Sequence, residues 1–280
     1  MKKIIKSFVK NLSKLIFAIL NLTKAGRYFS ENFVKFNFNK KQTIKHNNIN
    51  LSFYSPNRLN HFRIETFSTR EPETLEWIIK FSEKSVFWDI GANIGLYSCY
   101  AAKRTNCYVY SFEPSVFNLE ILAKNININK LNEKISIVSL PLTNIIKETD
   151  FNMSSTEWGG AVSTFGENHI YDGTKINQKF NYKMIGLSMD ECIDKLKIKK
   201  PDYIKIDVDG IEHLILEGGK MTLQNAKSIL IEIDENFSKQ VEKTKEYFTK
   251  AGFILKKKTH SKMIEESKIN SIFNQIWEKV

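Results

Sequence analysis

The feature that most constrains the fold is a regular alternation of short apolar runs with helical stretches. The five clearest runs are VFWDI (86–90), CYVYSF (107–112), KISIVSL (134–140), DYIKIDV (202–208) and SILIEID (228–234). Apolar residues follow one another in them without a polar alternate, which is typical of strands buried on both faces. Strands of this kind, separated by helices, predict an α/β fold with a mostly parallel, doubly wound sheet.

The rest of the chain divides around this core. FILKKK (253–258) and SIFNQIW (271–277) predict a terminal hairpin, and FVKFNF, QTIKH and INLSFY, between residues 33 and 54, predict a short β prelude. We therefore expect a basic amphipathic helix over residues 1–30, the prelude over residues 31–65 and the principal domain over residues 66–280.

The charge of the chain is concentrated at one end. Of a formal net charge of +11, seven positive side chains precede the first acid, Glu31. The remaining residues are nearly balanced, which argues against a nucleic-acid partner. Apolar side chains recur in the same segment at spacings of three and four, at Ile5, Phe8, Val9, Leu12, Leu15, Ile16, Ile19 and Leu22. Residues 1–24 thus predict a cationic amphipathic helix that contacts a membrane surface or a protein, or packs on its own domain.

Two further properties bear on location. The uncharged run at residues 15–23 has nine residues, whereas a membrane span needs ~20. Cys99, Cys107 and Cys192 show no disulfide pattern, and the five histidines are scattered singly, without zinc-ligand spacing. We expect a cytoplasmic protein, with peripheral attachment at the inner face of the membrane as an open option.

A glycine-rich turn follows the first apolar run. In VFWDIGANIGLYSCYAAK (86–103), a strand leads through Asp89, Gly91, Asn93 and Gly95 into a helix. Such a turn lets a ligand approach the backbone at a helix N-terminus, which favours a nucleotide-like ligand. The alternative is a tight connection without a ligand.

A second signal lies at the end of the next strand, where Glu113 follows Gly91 by 22 residues. An acid there is suited to accept both hydroxyls of a ribose, although capping of the following helix is the alternative. Asn93 and Leu96 stand where a dinucleotide fingerprint requires glycines, and no P-loop motif occurs. Asp89 would repel a pyrophosphate but suits a ligand with a cationic amino group.

These motifs resemble a known family. The pattern D-x-G-A-N-x-G followed by F-E-P is similar to that of class I S-adenosylmethionine-dependent methyltransferases, and specifically to the FkbM family. The further motifs are EPETLEWI (71–78), GLSMDECI (186–193), IKIDVDGIEHLILEGG (204–219) and LIEID (230–234). They occur in the family's order over about residues 65–258, with Asp209 where the family more often has Glu.

The resemblance implies a Rossmann-like sheet of seven strands, the last antiparallel, with S-adenosyl-L-methionine across the carboxyl ends of the first two strands. Gly91, Asn93 and Gly95 would lie against the methionine part, with Asp89 orienting its amino group. Glu113 would hold the ribose, and Pro141 and Leu142 of the loop SLPLTN (139–144) would border the adenine.

A second constellation surrounds the turn after residue 206, where Asp207, Asp209, Glu212 and His213 follow one another closely. Clustered carboxylates at the end of a parallel strand can have raised pKa values and act as bases. Asp207 is our leading catalytic base, with Glu212 and His213 as second choices. Helix capping is the alternative for Asp209 and Glu212, and a metal site on Asp207, Asp209 and Glu212 is disfavoured.

Two charged residues lie within adjacent apolar strands. Lys205 and Glu232 are predicted either to pair across the sheet or to face the cleft. The long stretch at residues 150–185 is a candidate acceptor pocket, in which we expect Trp158 and Ser163, together with Asp209, to contact the acceptor; an ordinary packed excursion is the alternative.

The resemblance implies an O-methyltransferase (EC 2.1.1.-) that acts on a hydroxyl of a sugar, surface glycan or glycolipid precursor. Its partner would be a small-molecule or glycan acceptor, with no nucleic acid; the oligomeric state stays open. The alternatives are a nicotinamide-dependent oxidoreductase, which lacks the required glycines, and a non-catalytic module that keeps the cofactor cleft.

Overall fold

The computed structural model describes residues 2–260 and 271–280. The strands in these ranges are β1 (Lys41–His46), β2 (Ile49–Tyr54), β3 (Val86–Ile90), β4 (Tyr108–Phe112), β5 (Ile135–Val138), β6 (Lys147–Met153), β7 (Ser163–Phe165), β8 (Phe180–Gly186), β9 (Tyr203–Ile206), β10 (Ser228–Asp234), β11 (Phe253–Thr259) and β12 (Ile272–Lys279). The helices are α1 (Lys2–Leu20), α2 (Lys24–Phe38), α3 (Arg58–Glu65), α4 (Phe67–Arg70), α5 (Pro72–Ile78), α6 (Leu96–Thr105), α7 (Val116–Ile128), α8 (Met189–Leu196), α9 (Glu212–Glu217), α10 (Lys220–Asn225) and α11 (Ser238–Lys250).

A seven-stranded sheet with the order β11-β12-β10-β9-β3-β4-β5 forms the centre of the molecule. Strand β12 is antiparallel to both of its neighbours, and the pairs among β10, β9, β3, β4 and β5 are parallel. The predicted doubly wound sheet of seven strands with an antiparallel last strand is confirmed, and so is the terminal hairpin of β11 and β12. Each of the five predicted apolar runs contains one strand of this sheet.

The core lies on both faces of the sheet, because successive side chains of a strand point in opposite directions. On β3, Trp88 and Ile90 belong to one buried cluster, whereas Phe87 belongs to the other. Helices α6 and α7 cover the second face together with β2, whose Leu51 and Phe53 are buried there. The sheet is therefore covered on both sides, and its carboxyl-terminal edge is the place where loops from several strands meet.

One predicted strand is wrong. FVKFNF (33–38) forms the end of helix α2, which also crosses the predicted boundary between residues 30 and 31. Thr23 starts this helix by accepting a hydrogen bond from the Gly26 backbone at 2.9 Å, and the helix then continues through Phe33 to Phe38. The other two predicted strands of the prelude, β1 and β2, form an antiparallel hairpin.

The long stretch between the third and fourth predicted strands also has structure of its own. Strands β7, β6 and β8 form an antiparallel sheet in that order. Phe151, Met153 and Phe165 from this small sheet are buried in the same core cluster as Trp88. The small sheet is thus a packed part of the domain that also brings its connecting loops to the carboxyl-terminal edge.

Strand β2 is joined to the main domain through asparagine side chains of α7. The Oδ1 atom of Asn125 accepts a hydrogen bond from the Tyr54 backbone at 2.7 Å, and its amide donates to the Ile94 carbonyl at 2.8 Å. The side chain of Asn129 accepts a hydrogen bond from the Ser52 N–H and donates one to the Ser52 carbonyl. These side chains satisfy backbone groups that a two-stranded hairpin leaves unpaired.

We expect Asn125→Ala to lower the free energy of unfolding by about 1–3 kcal/mol, because it leaves the backbone groups of Tyr54 and Ile94 unpaired in the interior. Chemical denaturation followed by circular dichroism measures this change. The matched control is Asn127→Ala on the exposed side of α7, for which we expect a change within about 0.5 kcal/mol. Equal stabilities of the two variants would contradict the role of Asn125.

Candidate active site

The glycine-rich turn after β3 brings three strands of the sheet together. The backbone N–H groups of Gly91 and Ala92 both donate to the Phe112 carbonyl at 3.0 Å. Gly91 has a φ of +86°, and a Cβ atom there would lie 1.9 Å from the Asp207 carbonyl oxygen. Only glycine fits a backbone this close to the end of β9. The two sequence constellations, around residues 91 and 207, are therefore in direct contact.

Glu113 lies at the end of β4, buried beside this turn. Its Oε2 atom accepts the Asn93 N–H at 2.8 Å, and its Oε1 atom accepts the Ser115 N–H at 2.8 Å. Burial raises the pKa of the carboxyl to about 7, against the opposing effect of these hydrogen bonds. The carboxylate is thus held in one orientation, with lone pairs left for a ligand.

A cleft with an empty volume of about 920 Å³ opens above these groups. The sequence-predicted residues in its wall are Gly91, Asn93, Glu113, Pro141, Leu142, Ser163, Asp207 and Asp209. These predicted cofactor and acceptor residues thus line one continuous cavity.

Five other predicted residues lie outside the wall of this cleft: Asp89, Gly95, Trp158, Glu212 and His213. Asp89 is buried behind the turn and accepts the Ser98 hydroxyl at 2.5 Å. Trp158 packs against Phe38 of α2, with ring centroids 4.8 Å apart.

The two second-choice bases, Glu212 and His213, are both buried and do not line the cleft. Glu212 is engaged by its own turn, where it accepts the backbone N–H groups of Val208 and Gly210 and the side-chain amide of Gln240. His213 is buried with neither ring nitrogen hydrogen-bonded, and burial lowers its pKa to about 4. Neither side chain is placed to take a proton from an acceptor in the cleft.

The pKa of Asp207 is lowered, whereas the sequence predicts a raised one. Burial alone would raise the pKa of its carboxyl, but the Lys205 ammonium at 2.6 Å, with Arg70 and Arg63 nearby, lowers it. The expectation was wrong because it counted the acids of this segment without the buried lysine two residues earlier. Lys205 pairs with Asp207, and the predicted pairing of Lys205 with Glu232 across the sheet is not formed.

Besides Glu113, two further carboxyls of the cleft have raised pKa values, those of Asp209 and Glu232. Burial, together with the charge of Asp207, raises the pKa of Asp209 to about 6. Asp209 is tied to the neighbouring loop, since its Oδ2 atom accepts the Val162 N–H at 2.7 Å. Burial and the charges of Asp207, Glu71 and Asp209 raise the pKa of Glu232 well above its usual range. Glu232 lines the cleft, which was one of the two placements left open by the sequence.

Sequence reasoning missed three charged residues of the cleft, Arg63, Arg70 and Glu71. Arg63 lies on α3 and donates from Nε to the Gly159 carbonyl at 2.8 Å. Arg70, at the end of α4, lies 3.8 Å from the Glu71 carboxylate. The arginines of these two helices reach the site only through tertiary packing. The one local signal in the sequence is the charged pair Arg70-Glu71 directly before α5, which begins at Pro72.

Within residues 2–260 and 271–280, no group of three or more His, Cys, Asp and Glu side chains has the arrangement of a metal site.

Residues 89–255 match the family model of the methyltransferase FkbM domain. The chain belongs to the FkbM methyltransferase family. It therefore contains the domain of an S-adenosylmethionine-dependent methyltransferase, and the oxidoreductase alternative is wrong.

A curated relative is the hexuronic acid methyltransferase AglP of Haloferax volcanii, 27% identical over 152 residues. The match covers 54% of this chain, and the chain spans about half of the relative's length, 56%. Among solved structures, a methyltransferase FkbM from Methylobacillus flagellatus has a TM-score of 0.50 at 14% identity, over 79% of this chain and 52% of that chain. M. jannaschii TYW2 in complex with AdoMet has a TM-score of 0.46 at 15% identity, over 86% and 87% of the two chains.

The cleft suits S-adenosylmethionine, the cofactor of this family. Glu113 offers a fixed carboxylate to a ribose, and Gly91 and Asn93 of the turn line the same cleft. Asp207 is an anion at neutral pH, which suits a cofactor that carries an ammonium and a sulfonium group. The residues that line the cleft therefore fit S-adenosylmethionine.

Proposed function

We propose that this protein transfers a methyl group from S-adenosylmethionine to a hydroxyl of a sugar in a glycan or glycolipid precursor. The observation that carries the proposal is the continuity of the cleft, which is lined by the proposed ribose-binding Glu113 and also by the carboxyls of Asp209 and Glu232. The curated relative is a hexuronic acid methyltransferase by name, and this likeness supports a sugar acceptor.

The cofactor supplies a methyl group on a sulfonium, which an oxygen attacks in line. What the protein must provide is alignment of the acceptor and a place for its proton. In our proposal Glu113 orients the cofactor ribose, while Gly91 and Asn93 contact its methionine part and Pro141 and Leu142 border the adenine. Ser163 and Asp209 contact the sugar.

The proton is best assigned to Glu232. Glu232 lines the cleft, and burial, together with the charges of Asp207, Glu71 and Asp209, raises the pKa of its carboxyl. A carboxylate whose pKa is raised binds a proton more tightly than an ordinary one and is a stronger base once it is ionised. Asp207, our leading base from the sequence, has a lowered pKa and is paired with the Lys205 ammonium, so its carboxylate is a weak proton acceptor. We therefore propose that Asp207 contacts the ammonium of the cofactor and that Glu232 accepts the hydroxyl proton.

The proposal is tested by identifying the methylated product. Purified protein, S-adenosylmethionine and saccharide acceptors with and without a uronic acid unit are incubated, and the products are analysed by mass spectrometry with fragmentation. We expect one sugar to gain a single CH₂ unit as an alkali-stable ether, in a reaction that also yields S-adenosylhomocysteine. An alkali-labile methyl ester would contradict transfer to a hydroxyl. Cofactor binding without transfer to any saccharide, lipid-linked forms included, would favour the binding module.

A further inference from the structure

The two N-terminal helices form a hairpin that leaves a large apolar surface uncovered. No residue of α1 from Ile4 onward is buried, and in α2 only Gly26 is. The helices contact each other through the rings of Phe17 and Phe33, with centroids 5.6 Å apart. The exposed large apolar side chains of the hairpin are Ile4, Ile5, Phe8, Val9, Leu12, Leu15, Ile16, Ile19, Leu22, Tyr28, Phe29, Phe33, Val34 and Phe36. Packing of α1 on its own domain, one of the sequence-based alternatives, is therefore wrong.

An apolar surface of this extent on a folded protein marks an interaction site. On α1 the apolar residues follow one another at spacings of three and four, so that they share one side of the helix. Lys6, Lys10 and Lys14 recur at spacing four and lie on another side, which is exposed as well. Between Ile4 and Arg27 the hairpin carries five positive side chains and no acid.

The charge decides between the possible occupants. A second copy of the hairpin would add more positive charge beside the same lysines, with no acid between Ile4 and Arg27 to offset it, and is therefore disfavoured. An anionic lipid surface offers negative headgroups to the lysines and an acyl layer to the apolar side at the same time. In the described ranges, no helix is long and apolar enough to cross a bilayer, so the surface suits an element that lies in the interface.

The hairpin is also connected to the cleft. Phe38, the last residue of α2, contacts the Trp158 ring and lies 3.5 Å from the Lys124 ammonium. The chain continues from Trp158 to Gly160, whose carbonyl accepts hydrogen bonds from the side-chain amides of Asn93 and Asn118 and which lines the cleft. The end of α2 therefore contacts the segment that leads to Gly160 in the lining of the cleft.

From these observations we propose that the α1–α2 hairpin is an interfacial anchor that holds the enzyme on an anionic bilayer. The exposed apolar side of α1 enters the acyl boundary, and the lysines contact acidic headgroups. This inference does not depend on the identity of the acceptor.

The test is co-sedimentation of the full chain with vesicles of phosphatidylcholine, with and without about one third of phosphatidylglycerol. We expect binding to the anionic vesicles that weakens as salt rises. Phe8→Asp/Leu15→Asp removes apolar contact, and Lys10→Glu/Lys14→Glu reverses charge; each is expected to weaken binding by about tenfold or more.

Matched controls place the same changes outside the hairpin. Ile145→Asp/Val280→Asp alters two exposed apolar residues, and Lys80→Glu/Lys245→Glu alters two exposed lysines. Both are expected to bind vesicles within about twofold of the parent chain, since they leave the hairpin unchanged. Equal binding by hairpin variants and controls would overturn the proposal. So would a dimer that forms without lipid and is lost with Phe8→Asp/Leu15→Asp, because the apolar side would then bind a second copy.

Discussion

Glu113→Gln is expected to weaken the binding of S-adenosylmethionine by about 10- to 100-fold, since one charged hydrogen bond contributes about 1.5–3 kcal/mol. The carboxylate accepts two backbone N–H groups, from Asn93 and Ser115, through different oxygens. An amide has only one acceptor atom, so the variant also sets an NH₂ group against one of these donors. Isothermal titration calorimetry with the cofactor measures the dissociation constant directly.

The pH dependence of the same titration tests the assignment further. The pKa of Glu113 in the free protein is about 7, and only the ionised carboxylate accepts both ribose hydroxyls. Cofactor affinity is therefore expected to rise with pH through about 7, by at most tenfold per pH unit below that value. This rise is expected to disappear in Glu113→Gln.

Glu133→Gln is the matched control, because Glu133 is exposed near the start of the neighbouring strand β5. It is expected to bind the cofactor as the parent chain does. If Glu113→Gln also binds with unchanged affinity and pH profile, Glu113 is a structural cap of its own turn and does not contact the ribose.

The central sheet was predictable because its signal is local. A strand buried on both faces needs a continuous apolar run, and β3 and β10 were placed at their observed ends, Val86–Ile90 and Ser228–Asp234. The segment at residues 33–38 was misassigned because its apolar residues fit a period of two over six positions. The helix is set further upstream, where Thr23 caps its first turn and Gly26 lies against the Leu20 carbonyl.

The site was predictable to the extent that its residues follow strand ends. Gly91, Glu113 and Asp207 each lie just after a parallel strand, and such strands end at one edge of a sheet. The same rule does not predict which charged side chains surround those residues. The low pKa of Asp207 depends on Lys205 and on arginines of α3 and α4, whose positions depend on packing between segments far apart in sequence.

Glu232→Gln is expected to lower kcat by about 10²–10⁴-fold while leaving the affinity for S-adenosylmethionine within about twofold, because the loss concerns a proton transfer. The side chain lines the cleft in β10, and Gln has nearly the same shape. The variant is expected to fold, because the neutral amide replaces a carboxyl whose charged form burial disfavours. Single-turnover methyl transfer at saturating cofactor measures the effect.

The pH dependence of the methyl-transfer rate distinguishes a general base from a residue that only shapes the cleft. A base must lose its proton before it can act, so the rate in the parent enzyme is expected to rise with pH through the raised pKa of Glu232 and then to level off. The Gln variant cannot titrate at this position, and its residual rate is expected to lose that rise. Glu242→Gln on the exposed side of α11 is the control and should retain the full profile.

Asp207→Asn provides the decisive comparison with the base predicted from the sequence. This change leaves the buried ammonium of Lys205 without its partner at 2.6 Å, so we expect weaker cofactor binding and lower stability as well as slower turnover. Glu232→Gln should change turnover alone. The opposite result, in which Asp207→Asn alone removes turnover at unchanged cofactor affinity while Glu232→Gln retains it, would return the base to Asp207. Lys205 would then have to move away from the carboxylate before Asp207 could accept a proton.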